Sequence, residues 1–145
     1  MQLKKLLFEI STALLVLLFL YTAISKFLDF DVFRYEMNNQ PFPNILTPFL
    51  VWLVPLAELA IVVCLLLDKT RLTGLYASLV LMSLFTIYTA LVLLNVFEYV
   101  PCSCGGVIKQ LKWPEHLVFN LFFVAISYTG IKLSKQQYRL QNISI

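Results

Sequence analysis

Cys102 and Cys104 are separated by a single residue in Pro101-Cys102-Ser103-Cys104-Gly105-Gly106, and thiols this close have a short list of chemistries. A disulfide between them requires the chain to bend, because bridged Cα atoms lie roughly 4.4–6.8 Å apart. Pro101 before the pair and the two glycines after it supply a turn and access to positive φ. So small a ring is strained, and strained or exposed disulfides are the labile or catalytic ones. It also removes little unfolded-chain entropy, which argues against a structural staple. We read the pair as one that exchanges electrons. Two alternatives stay open: a passive turn bridge or unreactive thiols, and half of a zinc or copper site that Glu115 and His116 would complete. No second Cys or His pair supports the metal. His116, the single histidine of the chain, is otherwise an interfacial hydrogen-bonding residue; beside a thiol it favours the thiolate or passes protons. The third cysteine, Cys64, lies in an apolar run and reads as a small apolar filler.

Four further residues carry polar chemistry in apolar surroundings. Glu58 falls about nine residues into a hydrophobic run, roughly 13 Å deep by helical rise. A carboxylate at that depth faces other helices, is protonated, or is paired. It is either a proton-handling or ligand-facing acid or a structural hydrogen-bonding group, with Pro55 one turn earlier freeing a backbone carbonyl. Lys26 closes the first apolar run, where snorkelling to headgroups explains it; a pairing with Glu58 would need it to reach inward. Asn120, two turns into the last run, suits a quinone carbonyl or another helix, the latter the commoner use. Trp113, with Tyr35, Phe42 and Tyr99, reads as an interface anchor.

The elements that position these residues are four apolar runs long enough to cross a bilayer, at about 6–28, 49–67, 72–97 and 114–133. Of the 145 residues, 60% are hydrophobic and 13% charged, against roughly half and a quarter in soluble domains. The connectors are too short for a core of their own, so the fold class is an all-α integral membrane protein, a four-transmembrane-helix bundle forming one domain over 1–145. Lys4 and Lys5 before the first run resemble a signal peptide, but the run exceeds an h-region of about 7–15 residues, and we read it as a retained span. In the first long connector, 29–48, Phe30, Phe33 and Met37 share one helical face and Asp31, Arg34 and Asn38 another, which predicts a short interfacial helix after span one. Gln40-Pro41-Phe42-Pro43-Asn44 then breaks it. The second long connector, 98–113, holds the cysteine pair, and Pro114 opens the last span where proline is best tolerated.

With four spans, both termini and the middle turn share a side that carries seven basic residues, Lys4, Lys5, Lys69, Arg71, Lys132, Lys135 and Arg139. The other side carries three, Arg34, Lys109 and Lys112, with Lys26 at the edge. The positive-inside rule puts the termini in the cytoplasm and turns both long connectors outward. The expected localisation is the cell inner membrane, multi-pass, with the cysteines on the periplasmic side, which permits disulfides. No basic run long enough for nucleic acid occurs, and no phosphate-cradling glycine loop or Ser/His/Asp set supports a hydrolase, kinase or pump.

Three segments together resemble the MauE/DoxX-like redox-associated membrane proteins. They are Ala23-Ile24-Ser25-Lys26-Phe27 closing span one, Pro55-Leu56-Ala57-Glu58-Leu59 in span two, and Pro101-Cys102-Ser103-Cys104-Gly105-Gly106 followed by Trp113, His116 and Asn120. The resemblance implies a four-helix bundle akin to that of vitamin K epoxide reductase and a role in thiol–disulfide or quinone-linked electron transfer. It also implies maturation of disulfide-bearing envelope proteins beside a thioredoxin-like partner. Vitamin K epoxide reductase-type enzymes carry a second cysteine pair, Cys-x-x-Cys at the quinone, and this chain has only the loop pair. The expectation is therefore a thiol–disulfide oxidoreductase, or a subunit of one. Cys102 and Cys104 would act on an envelope thiol protein, with Glu58, His116, Asn120, Trp113 and Lys26 in support, no covalently bound cofactor, and a membrane quinone as electron partner. A non-catalytic assembly factor and a Cys/His metal-handling protein are the alternatives.

Overall fold

Long apolar runs bounded by Lys4-Lys5, Pro48, Asp68-Lys69-Thr70-Arg71 and Pro114 have one way to satisfy their backbone in hydrocarbon, which is to coil. The computed structural model describes residues 2–41, 43–97 and 112–143, and among them every regular element is helical. Helix α1 is Gln2–Leu28, α2 Phe30–Asn38, α3 Thr47–Leu66, α4 Arg71–Leu93 and α5 Trp113–Ile143, with a 3₁₀ turn Asn44–Leu46 leading into α3. Four of these, all but α2, are long and apolar enough to cross a membrane. They close a ring in which α1 and α4 each pack against both α3 and α5, leaving α1 diagonal to α4 and α3 diagonal to α5. Leu15, Phe19, Leu65, Leu75 and Phe123 fill the middle. Large apolar side chains such as Leu17, Val63, Val80 and Val118 point outward from each long helix, a surface that suits lipid and not water.

The short helix expected after span one is α2. Its apolar face is used as the spacing predicts: Phe33 is buried, Phe30 packs against Trp52 at 5.0 Å, and Tyr35 stays exposed. The α3–α4 turn is closed by its own polar residues. The Thr70 hydroxyl donates to the Cys64 carbonyl at 3.0 Å, and Arg71 donates to the Leu65 carbonyl at 3.2 Å while pairing with Asp68 and Glu9. These bonds supply the partners that the last carbonyls of a helix lack. Close approach of α3 and α4 requires Gly74, where a Cβ would lie 2.9 Å from the Leu65 backbone nitrogen.

Two helix ends fall elsewhere than periodicity predicts. Helix α4 stops at Leu93, not near Phe97, because Asn95 takes a left-handed φ of 52° and the amides of Asn95 and Val96 bond back to Val92 and Leu91. That is a Schellman close with Asn in the place glycine usually takes. Helix α5 runs to Ile143, ten residues past the expected end at 133, since nothing after Gly130 breaks a helix.

Candidate functional site

Glu58 sits one turn beyond Pro55 on α3, facing the bundle, with its side chain 2% exposed. Lys26, two residues from the end of α1, folds back along its own helix. Its Nζ lies 2.9 Å from Glu58 Oε1 and 3.1 Å from Oε2, and donates at 3.4 Å to the Thr22 carbonyl. This corrects the snorkelling expectation. Side chains on a helix lean toward its N-terminus, which for Lys26 is into the bundle, and a carboxylate buried in hydrocarbon demands a counter-charge. The Phe33 ring covers the ammonium from α2 at 5.8 Å.

The facing wall comes from α4 and α5. Asn120 Nδ2 donates to Thr89 Oγ1 at 3.3 Å, and the Thr89 hydroxyl donates to the Phe85 carbonyl at 2.8 Å. Trp113 packs edge-on to Tyr88 at 6.3 Å, so it belongs to the interior as much as to the interface. His116, in the first turn of α5, is buried, and its Nε2 has no hydrogen-bond partner. The neighbouring Glu115 is occupied otherwise: its Oε2 accepts from the Lys112 amide at 3.0 Å, half of a capping box.

Between these walls lies a cavity of about 300 Å³. Lys26, Glu58, Trp113, His116 and Asn120 all line it, together with Thr22, Thr89 and a mainly aromatic and aliphatic remainder. Helix α2 roofs it with Phe33, Glu36 and Met37, joined by Gln40 just past the helix end. The Gln40 amide holds that roof in place, its nitrogen donating to the Glu36 carbonyl at 3.1 Å and its oxygen accepting from the Tyr88 hydroxyl of α4. The cavity is at the end of the bundle where α1 and α4 finish and α5 begins, the end from which the 98–113 connector departs. Cys102 and Cys104 lie outside the described residues. Cys64 is at the other end, beside the α3–α4 turn.

Sequence reasoning passed over Gln40, Tyr88 and Thr89. Gln40 stood in a segment marked only as a helix breaker, and Tyr88-Thr89 in an apolar run; their partners are 48 and 31 residues away along the chain. Among the described residues no group of three His, Cys, Asp or Glu is placed to hold a metal ion. An apolar cavity with a few convergent polar groups, one of them unpartnered, is the usual form of a small-molecule site.

The family model described as methylamine utilisation protein MauE matches residues 4–133, a stretch that takes in every cavity residue named above. Neither a curated protein nor a solved structure matches the chain.

Proposed function

This chain belongs to the MauE family of membrane proteins, and we propose that it is a membrane thiol–disulfide redox protein linking an envelope thiol partner to a membrane quinone. What supports the reading is one observation: the polar side chains of α1, α3 and α5 converge on a single apolar cavity at the end of the bundle that bears the Cys102–Cys104 connector. The distribution of basic residues supports a topology in which both termini and the α3–α4 turn are cytoplasmic and that connector is external.

In the oxidising direction the reaction balances without any further reagent. Cys102 and Cys104 lose two S–H bonds and form one S–S bond; the two electrons and two protons convert a quinone to its hydroquinone. The new disulfide then passes to a reduced envelope protein by thiolate attack through a mixed disulfide, which restores the dithiol. The cavity residues would hold the quinone head, and Lys26, Glu58 and His116 would supply or accept its hydrogen bonds.

Acid-trapped thiol labelling of membranes tests this. The reduced pair in wild type is expected to oxidise when quinone is added, and Cys102→Ser is expected to trap a mixed disulfide with its partner. A pair that never changes redox state with quinone present ends the proposal, as does failure of an impermeant maleimide to reach the pair from outside intact cells.

A further inference from the structure

We propose that the cavity grips a flat ring bearing oxygens on opposite edges, with His116 Nε2 bonded to one oxygen and the Lys26–Glu58 pair to the other. The inference deepens the redox reading and rests on it for the identity of the ring, a quinone or hydroquinone head. Its grounds are geometric. Buried polar atoms in native proteins are hydrogen-bonded, and His116 Nε2 on the cavity wall is not. On the α4–α5 wall the Asn120 amide nitrogen donates to Thr89 and the Tyr88 hydroxyl to Gln40, while the buried His116 Nε2 has no partner and is placed to meet a ligand there. Glu58 on α3 and His116 on α5 come from diagonal helices and so stand across the bundle axis from one another.

The two grips share a property that fits a ligand with two redox states. An imidazole nitrogen donates in one tautomer and accepts in the other. Lys26 and Glu58 present a donor and an acceptor side by side, at 2.9 Å. Each end therefore satisfies a carbonyl when the ring is oxidised and a hydroxyl when it is reduced. Phe85, Phe119 and Trp113 supply apolar, ring-shaped wall between them. At about 300 Å³ the space is at the small end of ligand pockets, enough for a ring head whose tail leaves into lipid.

The full chain in lipid nanodiscs, with Trp52→Phe leaving Trp113 as the single tryptophan, reports binding through quenching of Trp113 emission by decylubiquinone. Saturable quenching is expected, and decylbenzene, which has the tail and ring but no oxygens, is expected to compete poorly. His116→Phe is expected to weaken binding about tenfold, the loss of one buried hydrogen bond, and His116→Gln to recover most of it. Unsaturable quenching, equal competition by decylbenzene, or unchanged affinity in His116→Phe overturns the proposal. The comparison of the two ligands on unmutated His116 needs no cavity variant to fold. Cys102→Ser/Cys104→Ser separates this proposal from the redox reading. Binding kept there with His116 dependence, while the wild-type thiols do not cycle, sinks the redox reading alone. Cycling thiols with no His116 dependence sinks this one alone.

Discussion

Removing Lys26 and removing Glu58 should not cost the same, and the difference follows from where each charge is left. At 2.9 Å and an effective dielectric of 20 the pair attracts by about 6 kcal/mol before desolvation is counted. Breaking a buried pair by deleting one partner typically costs about 3–5 kcal/mol, because the survivor keeps an uncompensated charge. Lys26→Met strands the Glu58 carboxylate, 2% exposed and mid-helix, and should reach that range. Glu58→Gln strands an ammonium two residues from the end of α1 and 11% exposed, which can turn outward to headgroups along its flexible stem. Its cost should be about 1–2 kcal/mol, close to the loss of an ordinary hydrogen bond. In Lys26→Met/Glu58→Gln no charge remains, so the double variant should be no less stable than Lys26→Met, with a coupling energy at least as large as the whole cost of Glu58→Gln, about 1 kcal/mol or more. Unfolding by SDS in mixed micelles, followed by circular dichroism, measures all four proteins. Additive costs, or a larger loss in Glu58→Gln than in Lys26→Met, would refute the account of the buried pair.

Two further perturbations test the helix contacts by the same unfolding measurement. Gly74→Ala should cost about 1–3 kcal/mol, because its Cβ would meet backbone at 2.9 Å, whereas Gly130→Ala should cost under about 1 kcal/mol, since there the neighbour is the flexible end of Leu75. At the left-handed close of α4, Asn95→Gly should be neutral or slightly stabilising, and Asn95→Val should cost about 1–2 kcal/mol.

Apolar length alone made the four spans legible, since a run of that kind has no other structure open to it in lipid. The face of α2 was equally plain from Phe30, Phe33 and Met37, because a period of 3.6 is a local property. Helix ends were harder. Asn95 is a recognised stop residue, but Val96 and Phe97 continue the apolar run and concealed it. Lys26, Glu58 and Asn120 drew notice because polar groups in apolar runs are costly, His116 as the single histidine of the chain, and Trp113 as an interface ring. Their convergence did not, since it depends on which helices are neighbours in the ring. Lys26 is the instructive residue: its sequence position fits an outward snorkel, and only its helix direction, with α1 ending at that side, signals the inward reach. Gln40 and Tyr88 were invisible for the same reason, each acquiring its role from a partner on another helix.

The cavity itself is the feature whose energetics bear most directly on function. Space of about 300 Å³ left between packed helices forgoes the contacts that larger side chains would make there, in interiors that are otherwise close-packed. A bundle with no use for the space would close it with larger side chains, and Val54, which lines it one turn before Glu58, is placed to do so. Val54→Phe should therefore raise the unfolding free energy of the ligand-free protein by about 1 kcal/mol, as cavity-filling changes commonly do. It should also remove the site. Decylubiquinone at about 100 times its dissociation constant should stabilise wild type by about 2.7 kcal/mol and Val54→Phe not at all. The opposite signs are the test, because a merely disruptive substitution lowers both quantities. If Val54→Phe lost stability without ligand, or kept the ligand's stabilisation, the space would be incidental packing and the case for a binding site at this end of the bundle would fail.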